Sequence, residues 1–429
     1  MASPMTHGQA GSAVEPADGL RRDLGLLDAV GIGLGAIVGA GIFVVTGVAA
    51  GIAGPAFLLG LLLAGLAATA NALSAAQLAA AYPQSGGTFE YGYRVLNPWL
   101  GFAAGWLFLA SKIAAAGTVA LGLAGYVDGL MPGLPPRAIA VGAIVIFTVL
   151  SYFGVRRSSR VNLLIVAASL GALLLFVTAG ASSFRSSNLE PFAPAGWRSV
   201  LEAGAILFFA YTGYARIATL AEEVREPQST IPRAVLITIG GAILLYAAVA
   251  LVAVGAVGAS AMSRSAAPLQ IAAAASDRPW LPAVVSLGGV AAMLGVILSQ
   301  LLGLSRMAFA MARRGDLPRW LQSVHPRYGV PHRAVVVIGA VAAIVAGFGT
   351  LAAVAAAAAF TILVYYCITN LAALRMPSEA RLYPDAVPVA GLVTCAVLAI
   401  SLSVETLLAG IVVLLIGLLL RLVVEGGTT

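Results

Sequence analysis

The sequence predicts an all-α polytopic membrane protein of about twelve transmembrane helices. Hydrophobic residues make up 60% of its 429 residues and charged residues 10%, which is unlike the composition of soluble domains. Apolar runs recur along the chain, and a helix needs a run of roughly 20 residues to cross a bilayer core. Arginines concentrate in the connections on one side of these runs, as the positive-inside rule requires of a cytoplasmic face.

The predicted spans follow one another through short polar connections. In chain order they lie near 24–51, 54–81, 97–127, 137–154, 160–183, 198–223, 232–257, 281–312, 333–348, 351–374, 385–403 and 405–424. The arginine asymmetry places both termini in the cytoplasm. It accounts for the net charge of +7 through contact with anionic lipid, without nucleic acid.

The first residues and the choice of basic residue bear on location. Residues 1–20 are polar and lack the basic and apolar regions of a secretory signal, so we expect a disordered cytoplasmic tail. Arginine is used almost everywhere in place of lysine, which favours a GC-rich bacterial genome. We therefore expect a multi-pass protein of the bacterial cytoplasmic membrane.

The first span is rich in glycine, in the segment GIGLGAIVGAGIFVVTG at 31–47. One interpretation is packing, because Gly31, Gly35 and Gly39 are four residues apart and form a face that another helix can approach closely. Packing does not explain Gly41, which lies two residues after Gly39 and on a different face. Two glycines at one level each weaken a helix by about 1 kcal/mol relative to alanine. They predict a break, and backbone groups freed at membrane depth must line a cavity or meet a ligand.

The sixth span carries a corresponding feature in ILFFAYTGYARI at 206–217, where Gly213 and aromatic and β-branched residues interrupt the helix. This span is the first of a second group of five. Interrupted helices at matching positions of two halves indicate an inverted-repeat transporter with its site near the bilayer midplane. Free amides of one half-helix suit a carboxylate and free carbonyls of another suit an ammonium, so we expect a zwitterionic substrate.

Four segments of the chain resemble signatures of the amino acid-polyamine-organocation transporter superfamily. They are the glycine-rich segment at 31–47, AAAYPQSGGTFEYGYRVLNPWLGFAAGW at 79–106, FFAYTGYARIATLAEEVREPQSTIPRA at 208–234 and SRMAFAMARRGDLPRWL at 305–321. The resemblance implies secondary active transport of amino acids by alternating access. It also implies a five-plus-five inverted repeat, with a first repeat at 21–183, a second at 184–374, and two appended helices with the C-terminal tail at 375–429.

The resemblance further assigns a substrate site to the broken helices 1 and 6. The carboxylate subsite falls on the backbone of three residues, Ala40, Gly41 and Ile42. The ammonium subsite falls on four backbone carbonyls, those of Ile37, Phe209, Ala210 and Thr212. Phe209 also matches the aromatic side chain that covers the substrate. The alternative for Phe208 and Phe209 is that both are ordinary core aromatics.

The positions of the acidic residues favour a neutral or small amino acid as substrate. A cationic side chain at the midplane would need a carboxylate, because an unpaired buried charge is costly. The acids Asp28, Asp128 and Glu202 lie at or near span ends. The alternatives are a cationic amino acid or polyamine exchanger, and a channel or non-transporting receptor-like homologue that uses the same broken helices.

An enzyme, a cofactor and a metal site are not expected. The spans offer no converging His, Asp, Glu and Cys residues at one depth, and the histidines lie in polar segments, at His7, His325 and His332. The two cysteines, Cys367 and Cys395, lie in apolar runs where a thiol behaves as a small hydrophobe.

The single lysine of the chain is the candidate for ion coupling. Relatives resembling cationic amino acid transporters place a lysine in the fifth helix and a glutamate in the third, and by alignment these positions are Ser169 and Ser111 here. Lys112 lies in the middle of the third span, roughly 22 Å from either end, where it cannot snorkel to the interface. Burial makes a lysine easier to deprotonate, so Lys112 is predicted to carry a coupling proton. Two alternatives stay open: a structural lysine bonded to carbonyls of a broken helix, and a sodium ion that uses Ser299 in the eighth span.

Overall fold

The computed structural model describes residues 24–39, 41–82, 86–154, 159–214 and 224–426, which are predominantly helical. In chain order the helices are α1 (Leu26–Ile37), α2 (Thr46–Ala53), α3 (Phe57–Ala81), α4 (Thr88–Tyr91), α5 (Pro98–Leu130), α6 (Pro136–Tyr152), α7 (Ser159–Gly180), α8 (Trp197–Tyr211), α9 (Pro227–Ser263), α10 (Pro268–Ala274), α11 (Leu281–Arg314), α12 (His332–Phe348), α13 (Leu351–Leu374), α14 (Ala386–Ser401) and α15 (Val404–Gly426).

Length and composition place this fold in a membrane. Seven segments of the described chain are long and apolar enough to cross a bilayer. The first, Leu26–Ala81, takes in α1, α2 and α3, and the others correspond to α5, α7, α9, α11, α13 and α15. Three shorter apolar helices, α6, α12 and α14, lie between them. The all-α membrane class predicted from the sequence is therefore confirmed.

Most helix boundaries follow the predicted spans to within a few residues. An exception is α9, which runs beyond the predicted end at 257 to Ser263, with Gly258 inside it at φ 76° and ψ 159°. The helix is kinked at Gly258, because this backbone conformation is not helical. Glycine adopts it without the strain that a residue with a side chain would have. Hydropathy gave no indication of α4 and α10, which are short helices in connections. The tail predicted at 1–20 lies outside the described residues.

Small residues allow close approach between neighbouring helices of the bundle. A Cβ built on Gly60 of α3 would lie 2.9 Å from the backbone N of Gly204 in α8. A Cβ on Gly288 of α11 would lie 2.4 Å from the Cβ of Ala172 in α7. Both distances are shorter than real Cβ contacts, so these helix pairs depend on glycine. Such contacts supply the van der Waals packing that holds helices together in lipid.

The predicted glycine packing face of α1 is only partly correct. A Cβ on Gly35 would lie 2.4 Å from Cγ2 of Val166, and one on Gly39 would lie 2.9 Å from Cγ2 of Val296. Among the described residues, a Cβ on Gly31 would meet nothing within 4 Å. The described contacts therefore assign Gly35 and Gly39 to this face and give none for Gly31.

The residues before α1 pair with the residues before α9. Leu24 and Val224 form an isolated parallel β-bridge, in which the backbone N–H of Arg225 donates to the carbonyl oxygen of Leu24 at 3.0 Å. Val224 is fully buried. This β-bridge ties the start of the first predicted span to the chain that follows the sixth.

Glu90 of α4 joins the connection between α3 and α5 to the end of α11. Its carboxylate accepts hydrogen bonds from Nε of Arg94 at 2.7 Å and from Nη1 of Arg314 at 2.9 Å. The Arg314 guanidinium also lies 4.0 Å from the ring centroid of Tyr93. Partial burial opposes ionisation of Glu90, but the hydrogen bonds and charges of the two arginines outweigh it and lower the pKa of this carboxyl.

We expect Glu90→Gln to lower the midpoint of thermal unfolding by about 1 to 3 °C, because it removes a charge-assisted contact worth about 1 kcal/mol. A lowered folded-state pKa means that the ionised carboxylate stabilises the fold above its ordinary pKa of 4.5. This contribution is lost as the pH falls through the folded-state pKa. The difference between wild type and variant should therefore be complete at neutral pH and disappear in acid.

Thermal unfolding of detergent-purified protein over a pH series measures this difference. Glu190→Gln, at an exposed acid, is the control and should leave the midpoint unchanged. Equal midpoints for Glu90→Gln and wild type at neutral pH would contradict the stabilising role of Glu90.

Candidate functional site

The first predicted span is interrupted near its middle. Helix α1 ends at Ile37, and Val38 is extended, with φ −72° and ψ 108°. The chain resumes as a π turn, Gly41–Val45, before α2 begins. The interruption falls in the VGAGIF segment that predicted it. Ala40, assigned to the carboxylate subsite, lies outside the described residues.

The sixth predicted span is interrupted after α8. Helix α8 ends at Tyr211, and a 3₁₀ turn, Thr212–Tyr214, follows it. The hydroxyl of Thr212 donates to the carbonyl oxygen of Phe209 at 3.0 Å, inside the last turn of α8. Residues 215–223 lie outside the described part of the chain.

The two interruptions lie directly against each other. A Cβ built on Gly41 would lie 2.3 Å from Cα of Ala210, and one on Gly213 would lie 2.2 Å from the carbonyl oxygen of Ala36. Backbone therefore contacts backbone, with glycine on each side. The residues assigned to the site from the sequence that the structure describes come together here, and all of them are buried: Ile37, Gly41, Ile42, Phe209, Ala210 and Thr212.

Two tyrosines that the sequence analysis did not single out bind backbone carbonyls at the interruptions. Tyr246 of α9 donates its hydroxyl to the carbonyl oxygen of Ile37 at 2.8 Å, and it lies 3.5 Å from that of Ala210. Tyr126 of α5 donates to the carbonyl oxygen of Phe43 at 2.6 Å. The end of α1 leaves carbonyls such as that of Ile37 without intrahelical donors, and the Tyr246 hydroxyl supplies a donor from another helix. Tyr126 adds a contact from α5 to the start of the second half of span 1.

We expect Tyr246→Phe to raise the apparent KM for the substrate about tenfold, because its hydroxyl holds the Ile37 carbonyl in place and loss of that contact lets the backbone at the interruption shift out of its binding geometry. Tyr211→Phe is the matched control. Its hydroxyl is also buried, but it contacts the carbonyl of Leu61 in α3 at 3.3 Å, away from the interruption of α1. Uptake kinetics of both variants, at equal protein per vesicle, measure the effect, and equal KM changes would argue against a local role for Tyr246.

The predicted coupling residue Lys112 reaches the interruption after α8. It lies near the middle of α5, and its Nζ is 3.3 Å from Oγ1 of Thr212. Ser299, the alternative, lies in α11 less than one turn after Val296, the residue that packs on Gly39. Both positions are therefore near the interruptions, and Lys112 contacts Thr212, a residue assigned to the site.

The two serines that replace the charged residues of the cationic relatives have structural partners. Ser111 donates to the carbonyl oxygen of Ala358 in α13 at 3.2 Å. Ser169 lies within hydrogen-bond distance of two carbonyl oxygens, Ile165 at 2.7 Å and Gly288 of α11 at 3.2 Å. These contacts join neighbouring helices, so both positions serve packing in this chain.

The aromatic pair at the end of α8 divides between two environments. Phe208 is fully buried and packs edge-on against Tyr366 of α13, with ring centroids 5.6 Å apart, as a core aromatic would. Phe209 retains 8% exposure and its carbonyl accepts from Thr212. Of the two, Phe209 is the one beside the interruption.

Two histidines, His325 and His332, lie close together outside the site. The rings of His325 and His332 are 5.4 Å apart, with Tyr152 beside both. The backbone N–H groups of Arg327 and Tyr328 donate to Nδ1 of His325, which makes it a local turn anchor. Within the described ranges no group of three or more His, Cys, Asp and Glu residues is arranged to hold a metal ion.

Comparison with known proteins gives a consistent assignment. The family model described as amino acid permease matches residues 28–428. An uncharacterized transporter of Mycobacterium tuberculosis is 42% identical over 402 residues, covering 93% of this chain and 90% of that protein. The branched-chain amino acid permease BcaP of Bacillus subtilis is 28% identical, covering 94% and 92%. The chloroplastic cationic amino acid transporter 9 of Arabidopsis thaliana is 32% identical, covering 72% and 58%.

Proposed function

Because the chain belongs to the amino acid permease family and is a transporter rather than an enzyme, we propose that it is a secondary active transporter that moves amino acids by alternating access. The observation that carries the proposal is the contact between the two helix interruptions, at Gly41 against Ala210 and Gly213 against Ala36. Each interruption provides backbone groups at membrane depth. Together they suit the two charged ends of a zwitterion.

The site that we propose has two halves. Amides at the start of the second half of span 1, at Ala40, Gly41 and Ile42, bind the carboxylate, because they lie at the positive end of a helix dipole. Carbonyls of Ile37, Phe209, Ala210 and Thr212 bind the ammonium. The buried contact of Gly41 with Ala210 supports this arrangement, since it brings the backbone of the two halves together.

We propose that this site lies within an architecture of twelve transmembrane spans. The first repeat comprises 21–183 and the second 184–374, and 375–429 adds two spans. Interruptions after α1 and α8, each in the first span of its group of five, support the repeat. We place the protein in the plasma membrane of a bacterium. The arginine distribution supports an orientation in which both termini face the cytoplasm.

For the substrate we propose a neutral or small amino acid. Asp28 precedes the interruption of α1 by nearly three helical turns, where its carboxylate accepts from the backbone N–H of Gly25 at 3.0 Å. Glu202 lies near the start of α8, and Asp128 near the end of α5. The name of the Bacillus relative favours a neutral substrate, whereas the name of the Arabidopsis relative favours the alternative, a cationic amino acid or polyamine exchanger.

For the coupling ion we propose a proton carried by Lys112. Its contact with Thr212 supports this role, because a proton gained or lost there alters the charge beside the ammonium subsite. Sodium bound with the help of Ser299 is the alternative. In either case the gradient of the ion, and no cofactor, supplies the energy for accumulation.

Counterflow in proteoliposomes tests the function. Unlabelled amino acid inside should accelerate entry of labelled alanine, serine or leucine. The reason is that a carrier loaded with internal substrate reorients to the outer face faster than an empty carrier. A receptor-like homologue would bind the label without counterflow. Transport of arginine alone would contradict the neutral substrate and leave the transporter assignment intact.

A further inference from the structure

The only lysine of the chain lies beside the turn that carries the proposed ammonium subsite. Its Nζ is 3.3 Å from Oγ1 of Thr212, and the same hydroxyl is 3.0 Å from the carbonyl oxygen of Phe209. Lys112 is anchored near the middle of α5, a helix of 33 residues. Its amine therefore approaches the site from a third helix, in addition to the two interrupted ones.

We infer that Lys112 is a selectivity residue that excludes amino acids with a net positive charge. The inference rests on the proposed function, because it assumes that the substrate binds between the two interruptions. It goes further by assigning the rejection of cationic substrates to one side chain.

Electrostatics gives the expected size of the effect. A zwitterion carries no net charge, so the repulsion of its ammonium by Lys112 is offset by attraction of its carboxylate. A cationic side chain adds a charge with nothing to offset it. Two unit charges roughly 6 to 12 Å apart, at an effective dielectric constant of about 20, change the affinity by roughly tenfold to a hundredfold.

Exclusion and coupling are separate roles that the same amine can have. Exclusion requires that Lys112 is protonated when the substrate binds, and it needs no ion gradient. Coupling requires that Lys112 changes its protonation later in the cycle. Exchange without a gradient therefore measures exclusion alone.

The sharpest test compares side chains of equal size and different charge. Arginine and citrulline have nearly the same shape, and 2,4-diaminobutyrate and 2-aminobutyrate provide a short pair. Each compound competes against exchange of labelled alanine or leucine in proteoliposomes without a gradient. The ratio of the inhibition constants within a pair cancels differences in protein amount and basal rate among wild type, Lys112→Met and Lys112→Arg.

We expect wild type to prefer the neutral member of at least one pair by tenfold or more. Lys112→Met should reduce this preference at least fivefold, and Lys112→Arg, which keeps the charge, should retain it. Equal inhibition by both members in wild type, or a preference that Lys112→Met leaves unchanged, would overturn the inference. Exchange of the labelled neutral amino acid in wild type is a separate readout, since its absence would contradict the proposed function itself.

Discussion

Gly41→Ala is expected to reduce substrate exchange at least a hundredfold while the protein still inserts into the membrane. The added Cβ would lie 2.3 Å from Cα of Ala210. The positions of a Cβ and a Cα are fixed by the backbone, so no change of side-chain rotamer can relieve this clash. The two interruptions must separate, which displaces the backbone groups that bind the substrate, and displacement of about 1 Å is enough for a loss of this order. Exchange in proteoliposomes, together with yield and monodispersity in detergent, measures both parts of the prediction.

Two further alanine variants make this test specific. Gly213→Ala should be as severe, since its Cβ would lie 2.2 Å from the carbonyl oxygen of Ala36. Gly31→Ala should keep exchange near the wild-type rate, because a Cβ there meets no described residue within 4 Å. Equal loss of exchange in all three variants at normal yield would argue against a localised site.

Lys112→Met is expected to lose accumulation driven by a proton gradient while exchange of substrate continues. Methionine has a similar length and no proton to carry, so substrate can still cross in both directions but no longer against its own gradient. An imposed inward proton gradient should concentrate labelled substrate in wild-type vesicles by tenfold or more. In the variant the internal and external concentrations should become equal.

Sodium provides the decisive comparison for this second experiment. Accumulation should be the same with and without sodium in wild type, and Ser299→Ala should not reduce it. Accumulation that requires sodium and survives in Lys112→Met would contradict proton coupling through Lys112. Loss of both exchange and accumulation would instead indicate the structural role that the sequence left open.

Hydropathy and glycine spacing predicted much of the fold, because both reflect the bilayer directly. A helix of the right length is needed to cross the lipid, so the spans could be recognised without knowing any contact. The break after Ile37 could be recognised because paired glycines weaken any helix, whatever surrounds it. Hydropathy did not predict the short helices α4 and α10, because neither is long enough to form an apolar run of the length that crosses a membrane.

The contacts of the site depended on information that spacing does not contain. Tyr126 and Tyr246 are aromatic residues within apolar spans, where such residues ordinarily pack in the core. A tyrosine within an apolar span is nevertheless informative when a broken helix is predicted. Its buried hydroxyl needs an acceptor at membrane depth, and the broken helix offers carbonyls. Gly31 shows the opposite case: its spacing from Gly35 is regular, but among the described residues none lies within 4 Å of a Cβ built there.

The β-bridge between Leu24 and Val224 reduces the number of independent motions available to the molecule. A half-helix attached only through a hinge has one free end, but the start of α1 is held to the start of α9 by a backbone hydrogen bond. Separation of these two segments therefore requires that this bond breaks. Labels on the two segments should consequently relax with one rate constant, and the Arg225 amide should exchange its hydrogen only as fast as the pair separates.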